Sequence, residues 1–251
     1  MIRKRLITWM VATIVSLAVI ALLGLNASRT GRADEGTPIL EYPAFPPTPT
    51  IAPPPASAPN VAGAPLAADR FDSPDELARW EIVDPADTLP EDRAIWGVQD
   101  GALIQNRTDA AGDPNIHETM ALTGDPKWTD YTVSAKVYDQ NNVTFGLVAR
   151  RQGDSFYRYR IIANPFDASP KQILEKVVNG VATPLATQAA GYNQRQWHTV
   201  ALSVAGPRIR VTLDGQLVAD ATDTTLTSGQ AGLYTRAVGG IRFDDVTVTT
   251  P

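Results

Sequence analysis

In the run from Trp197 to Val218, Val200, Leu202 and Val204 alternate with polar or small residues, and Ile209, Val211 and Leu213 repeat the alternation after Gly206-Pro207. A period of two puts each apolar row on one sheet face, the pattern of a half-buried antiparallel hairpin. Asp214-Gly215 then supplies the pair of positive φ angles that a two-residue turn requires. The same signals recur from residue 69 onward. Strands are expected at Trp80 to Val83, Trp96 to Val98, Ala102 to Gln105, His117 to Leu122, Tyr131 to Tyr138, Val143 to Arg150 and Phe156 to Ile162. Others follow at Gln172 to Val178, Trp197 to Val204, Arg208 to Leu213, Gln230 to Tyr234 and Gly240 to Val248. Turn residues such as Asp100-Gly101, Gly153-Asp154 and Asn179-Gly180 punctuate them. Helical crossovers are missing, so the pattern predicts an all-β, two-sheet antiparallel sandwich or jelly roll over 69–251. One short helix is expected near its start, where Ser73 and Glu76 make a capping box and Pro74 fits the first helical position.

Residues 1–68 read differently. Arg3, Lys4 and Arg5 precede an apolar run from Leu6 to Leu25, long enough to span a bilayer as a helix. Its length favours a retained signal anchor, while Gly31-Arg32-Ala33 leaves cleavage as a signal peptide open. Either way the cationic start keeps the N-terminus cytoplasmic and sends the remainder outside. Residues 34–68, with PAFPPTPTIAPPPASAPNVAGAP, read as a disordered, proline-rich spacer. The expected layout is therefore a single-pass membrane helix, a stalk and a β-sandwich head. A net charge of −5 argues against nonspecific nucleic-acid binding. The absence of cysteine excludes disulfides, thiolate zinc sites and cysteine catalysis.

The span from Trp197 to Gly215, a tryptophan followed by two alternating strands and Asp-Gly, resembles the laminin G-like domains of the concanavalin A-like lectin/glucanase superfamily. GLVARRQGDSFYRYRI (146–161) is similar to bacterial members of that group. The opening DRFDS and the closing IRFDDVTV resemble their first and last strands. The resemblance covers Asp69 to Thr249 and extends to 3-keto-disaccharide hydrolase-like domains. It implies a sandwich that binds glycan or another envelope polymer, with a purely structural head and a glycoside hydrolase as the alternatives.

Two groups of side chains carry candidate chemistry. In the strands from Tyr131, Val143 and Phe156, the buried parity falls on Val133, Ala135 and Val137, on Phe145, Leu147 and Ala149, and on Tyr157, Tyr159 and Ile161. If these three strands are neighbours, one outward face collects Lys136, Tyr138, Arg150, Arg158 and Arg160, a basic and aromatic stripe suited to sugar hydroxyls or anions. In the last strand, Ile241 and Phe243 are out of phase with Val246 and Val248, which predicts a bulge at Asp244-Asp245. First and last strands often pair in such sandwiches, which brings Asp72 near. Asp72, Asp244 and Asp245 are hard oxygen donors of the kind calcium takes, and the resemblance implies a structural calcium there.

Catalytic signatures are thin. The Glu-x-Asp-x-x-Glu run of laminarinase-type glucanases is absent, and Asp113, Asp130, Asp139 and Asp154 show no readable pairing. His198 adjoins a buried row and reads as structural, and His117 has no evident partner. Nucleophile elbows, phosphate loops and zinc spacings are missing. Trp96, Trp197 and Trp80 are expected to pack in the sandwich, and Trp128, beside a Gly-Asp-Pro turn, to lie exposed.

Overall fold

The computed structural model describes residues 63–85, 88–89, 93–106, 118–140, 143–162, 171–236 and 239–251. The apolar run 6–25, most of the proline-rich stretch, Asp113 and His117 lie outside them. Among the described residues no helix is long and apolar enough to cross a membrane.

The described residues form two antiparallel sheets, as the period-two pattern demands. In chain order the strands are β1 (Pro65–Asp69), β2 (Glu81–Val83), β3 (Ile95–Gln99), β4 (Ala102–Asn106), β5 (Glu118–Thr123), β6 (Tyr131–Asp139), β7 (Thr144–Gln152) and β8 (Ser155–Ile162). They continue as β9 (Lys171–Val178), β10 (Val181–Gln188), β11 (Trp197–Ala205), β12 (Arg208–Leu213), β13 (Gln216–Thr222), β14 (Gln230–Arg236) and β15 (Ile241–Thr249). Sheet A has the order β13-β12-β11-β6-β15-β4-β3, with β1 beside the second half of β15. Sheet B has the order β10-β9-β8-β7-β14-β5-β2. The predicted inward rows meet between the sheets: Val133, Ala135, Val137, Phe145, Leu147, Ala149, Tyr157, Tyr159, Ile161, Val200, Leu202 and Val204 all belong to one buried cluster.

Three strands escape the pattern. β10 and β13 are sheet edges, bonded on one side and mostly exposed, so their side chains carry little apolar alternation. Pro184 is tolerated in β10 because it sits at a register break on an edge. β1 falls at the end of the expected spacer, because its PLAAD sequence is held to β15 by backbone pairing more than by burial. The helix is a short 3-10 segment, Pro74–Arg79, in which the Ser73 hydroxyl accepts from the Asp75 N–H. Glu76 reaches past its expected partner to accept from the N–H groups of Arg70 (3.1 Å) and Phe71 (2.8 Å). That bond holds Phe71, at a φ of 55°, facing the core.

Trp80 and Trp96 pack inside, Trp80 5.8 Å from Phe71 and Trp96 6.0 Å from Phe243 between ring centroids. Trp197 does not. It lies on the opposite parity from Val200 and Leu202, on the outer face of sheet A, 5.4 Å from Tyr138. Trp128 is half-buried, folded over Gly124, where an added Cβ would sit 2.1 Å from the indole.

At Gly146 the β7 backbone runs so close to β8 that a Cβ would fall 1.8 Å from the Tyr159 carbonyl oxygen, whereas a Cβ at Gly97 meets nothing within 4 Å. Gly146→Ala is expected to cost about 2 kcal/mol or more in a urea melt, and Gly97→Ala to stay within about 0.5 kcal/mol. Equal midpoints for the two variants would show that β7 and β8 do not approach this closely.

Candidate functional site

The outer face of sheet B carries a second, smaller apolar cluster of Leu122, Val148, Phe156, Val177 and Tyr234, flanked by Val83 and Met120. It supports a charged lattice built from three strands. β8 aims Arg158 outward, opposite Val148 on β7 and Glu175 on β9. The Arg158 guanidinium lies over the Tyr234 ring on β14, 4.5 Å from its centroid. Nε of Arg158 donates to Glu175 Oε1 at 2.7 Å, and Nη1 donates to Glu118 Oε2 on β5 at 2.6 Å. Tyr234 donates its hydroxyl to Glu118 Oε1 at 2.8 Å. Arg160 completes the group. Its Nε lies 2.8 Å from Glu175 Oε1 as a charge pair off the line of a hydrogen bond, and its Nη2 donates to Oε2 at 3.3 Å.

Burial alone would raise the Glu118 carboxyl. The Arg158 charge and the bonds from Arg158 and Tyr234 outweigh it and hold the group below the usual range. Burial likewise works against the Arg158 charge, and Tyr234, Glu118 and Glu175 more than restore it. A buried pair of this kind is stable only because every charge in it is met.

Of the five residues expected on one stripe, Arg158 and Arg160 alone share this face. β6 and β7 are consecutive but belong to different sheets, so Lys136 and Tyr138 sit on the outer face of sheet A. Tyr138 stacks against Trp197. Arg150 is not outward at all. A bulge with φ 52° at this residue swings its side chain over the sandwich end. There Nε donates to Thr129 O, Nη1 to Leu226 O and Nη2 to Asp130 Oδ1, at 2.8, 2.9 and 3.0 Å. It is 2 % exposed and staples two loops together.

Glu118, Glu175 and Tyr234 carry no motif, and sequence reasoning missed them. Glu175 was within reach, since extending the Phe156–Arg158–Arg160 row one strand further puts it opposite Arg158. Glu118 comes from β5, two strands beyond β7 in the sheet, and no local pattern marks it.

The predicted bulge is present. Asp245 has φ 46°, and the register between β15 and β6 shifts after Asp244, so Ile241, Phe243, Val246 and Val248 all reach the core. β1 and β15 pair, and Asp72 comes close enough to Asp244 for their charges to interact. A calcium ion fits this corner poorly. The Lys136 ammonium already sits 2.8 Å from Asp245 Oδ2, and among the described residues no group of three or more acidic, histidine or cysteine side chains is placed to hold a metal. His198 is structural as expected: Nδ1 lies 2.7 Å from Asp214 Oδ2 and Nε2 2.6 Å from Asn193 O.

Two stacked antiparallel sheets in this order make the molecule a jelly-roll β-sandwich of galectin-like fold. The sequence pattern of the 3-keto-alpha-glucoside-1,2-lyase-like domain matches residues 68–249, and the chain belongs to that family. An extracellular exo-alpha-L-arabinofuranosidase of Streptomyces chartreusis is 30% identical over 121 residues, which is 48% of this chain and 14% of that protein. The carbohydrate binding module CBM66 from Bacillus subtilis superposes with a TM-score of 0.54 at 17% identity, over 67% of this chain and 95% of that one. A Bacillus subtilis protein with a galectin-like fold gives 0.57 at 12%, over 75% and 96%. At those identities the two structures show the shared fold.

Asp244 makes a testable contribution. Burial, with the charges of Asp245 and Asp72, raises its carboxyl from 3.8 to about 6 against the pull of Lys136 and the Asp245 N–H. The folded state therefore binds this proton more tightly than the unfolded chain. The stability it adds is complete below about pH 4 and is lost as pH rises through about 6. Asp244→Asn should melt like the parent at pH 4 and a few degrees higher at pH 7. A variant that loses stability equally at both values would show that the Asp244 charge is not what strains this corner.

Proposed function

We propose that the head is a non-catalytic glycan-binding module that uses the outer face of sheet B, held outside the cell on the proline-rich spacer by the apolar N-terminal run. The carrying observation is the Arg158 lattice. It fixes carboxylate and guanidinium groups on a sheet face, in a family and fold whose members handle carbohydrate. Fixed donors and acceptors match sugar hydroxyls without the entropy cost of ordering free side chains. The second reading is turnover of a 3-keto-glucoside, favoured by the family match and by two carboxylates flanking one guanidinium. In that reading the lowered Glu118, ionised near neutrality, is excluded as the proton donor to a leaving group.

The full chain is tested on a broad panel of neutral polysaccharides. Arg160→Ala should weaken the best binder by about tenfold and lower the melting temperature by no more than a few degrees, since Arg158 still pairs with Glu175 in its absence. Failure of every glycan to bind would defeat the proposal. Release of sugar from a 3-keto-α-glucoside, abolished by Glu175→Gln, would put catalysis in its place.

A further inference from the structure

The lattice divides into a hidden part and a presented part. The side chains of Arg158 and Glu175 are 5% and 2% exposed, whereas those of Glu118 and Arg160 are 37% and 19% exposed. Each Glu118 oxygen accepts one bond from within the protein and keeps a second acceptor direction. Arg160 spends Nε and Nη2 on Glu175 and retains Nη1. We infer that Glu118 and Arg160 are the specificity-determining pair of this face, and that they select an uncharged polyhydroxylated ring over an anionic one. This inference rests on the glycan-binding proposal above.

The chemistry is that of a polyol. One ring hydroxyl donates to the Glu118 carboxylate and another accepts from Arg160, so each partner offers what the other sugar oxygen needs. Arg158 is a positioning residue, because it holds both glutamates and is itself covered. At the position it occupies, a carboxylate or sulfate group has acceptors and no donor to give Glu118. It also meets a carboxylate that stays ionised because Arg158 holds it so. Two arginines against two glutamates leave the lattice itself without net charge. The cations on the adjoining row, Lys171 and Arg236, have contacts of their own. The basic stripe visible in the sequence is therefore neutralised by residues that arrive from β5 and β9.

The test takes the neutral glycan that binds the full chain best, together with its own sulfated derivative. The parent should bind the sulfated form at least about tenfold more weakly, and neutral binding should change little between 0.05 and 0.5 M NaCl because no net charge is screened. Glu118→Gln keeps an acceptor and removes the charge, so it should narrow the gap severalfold. Arg160→Met, on the exposed side, should weaken neutral binding and leave the gap open. Preference of the parent for the sulfated form, lost steeply with salt, would overturn the selectivity and leave glycan binding standing. Absence of binding by both forms and by the whole panel would remove the underlying proposal as well. The parent's ratio decides the matter even if Glu118→Gln fails to fold.

Discussion

The buried guanidinium of Arg158 is the constraint around which one whole face of the molecule is arranged. It links β5, β8 and β9, and lies over the ring of Tyr234 on β14. Taking such a charge out of water is costly, and removing one partner of a buried pair typically costs several kcal/mol. Its neighbours follow from that need. Two carboxylates supply the opposite charge, and Tyr234 supplies a π-face and a hydroxyl. The apolar residues beneath exclude water and strengthen each contact.

Outside this face, the same logic of complete pairing recurs in a structural role. Arg150 fills its donor fork with two backbone carbonyls and Asp130 at one end of the sandwich. Tyr131 donates its hydroxyl toward Gly229 O and Gln230 O and accepts from the Arg150 N–H. Midway along β6 and β15, on the outer face of sheet A, Lys136 and Asp245 form a close pair, and Asp244 beside them is held toward its neutral form. Charged residues inside or against this sandwich are thus mostly fasteners. The lattice on sheet B differs in leaving one acid and one base facing outward.

The inward rows were legible because period-two alternation reports burial directly, strand by strand. The bulge at Asp244-Asp245 was legible for the same reason, since a phase slip in apolar positions has to be absorbed somewhere. Neighbour relations were not. Tyr131–Asp139 and Thr144–Gln152 are joined by a short connection, yet the chain crosses between sheets there, and a side chain's parity says nothing about which sheet it is on. Arg150 was misplaced because a non-glycine residue with positive φ leaves no trace in an alternating pattern. The edge strands β10 and β13 were missed because backbone bonds define them, and those bonds are blind to side-chain type. Of the site itself, the two arginines were visible and their acidic partners were not.

The pairing of β1 with β15 has a mechanical consequence. Ala64 and Thr250 exchange hydrogen bonds, so the polypeptide enters and leaves the sandwich at a single point. A body whose two ends meet can be spliced into the middle of a longer polypeptide, or hung from its tip, without being stretched. The outer face of sheet B would be displayed unchanged in either setting, which makes the sandwich a portable cassette.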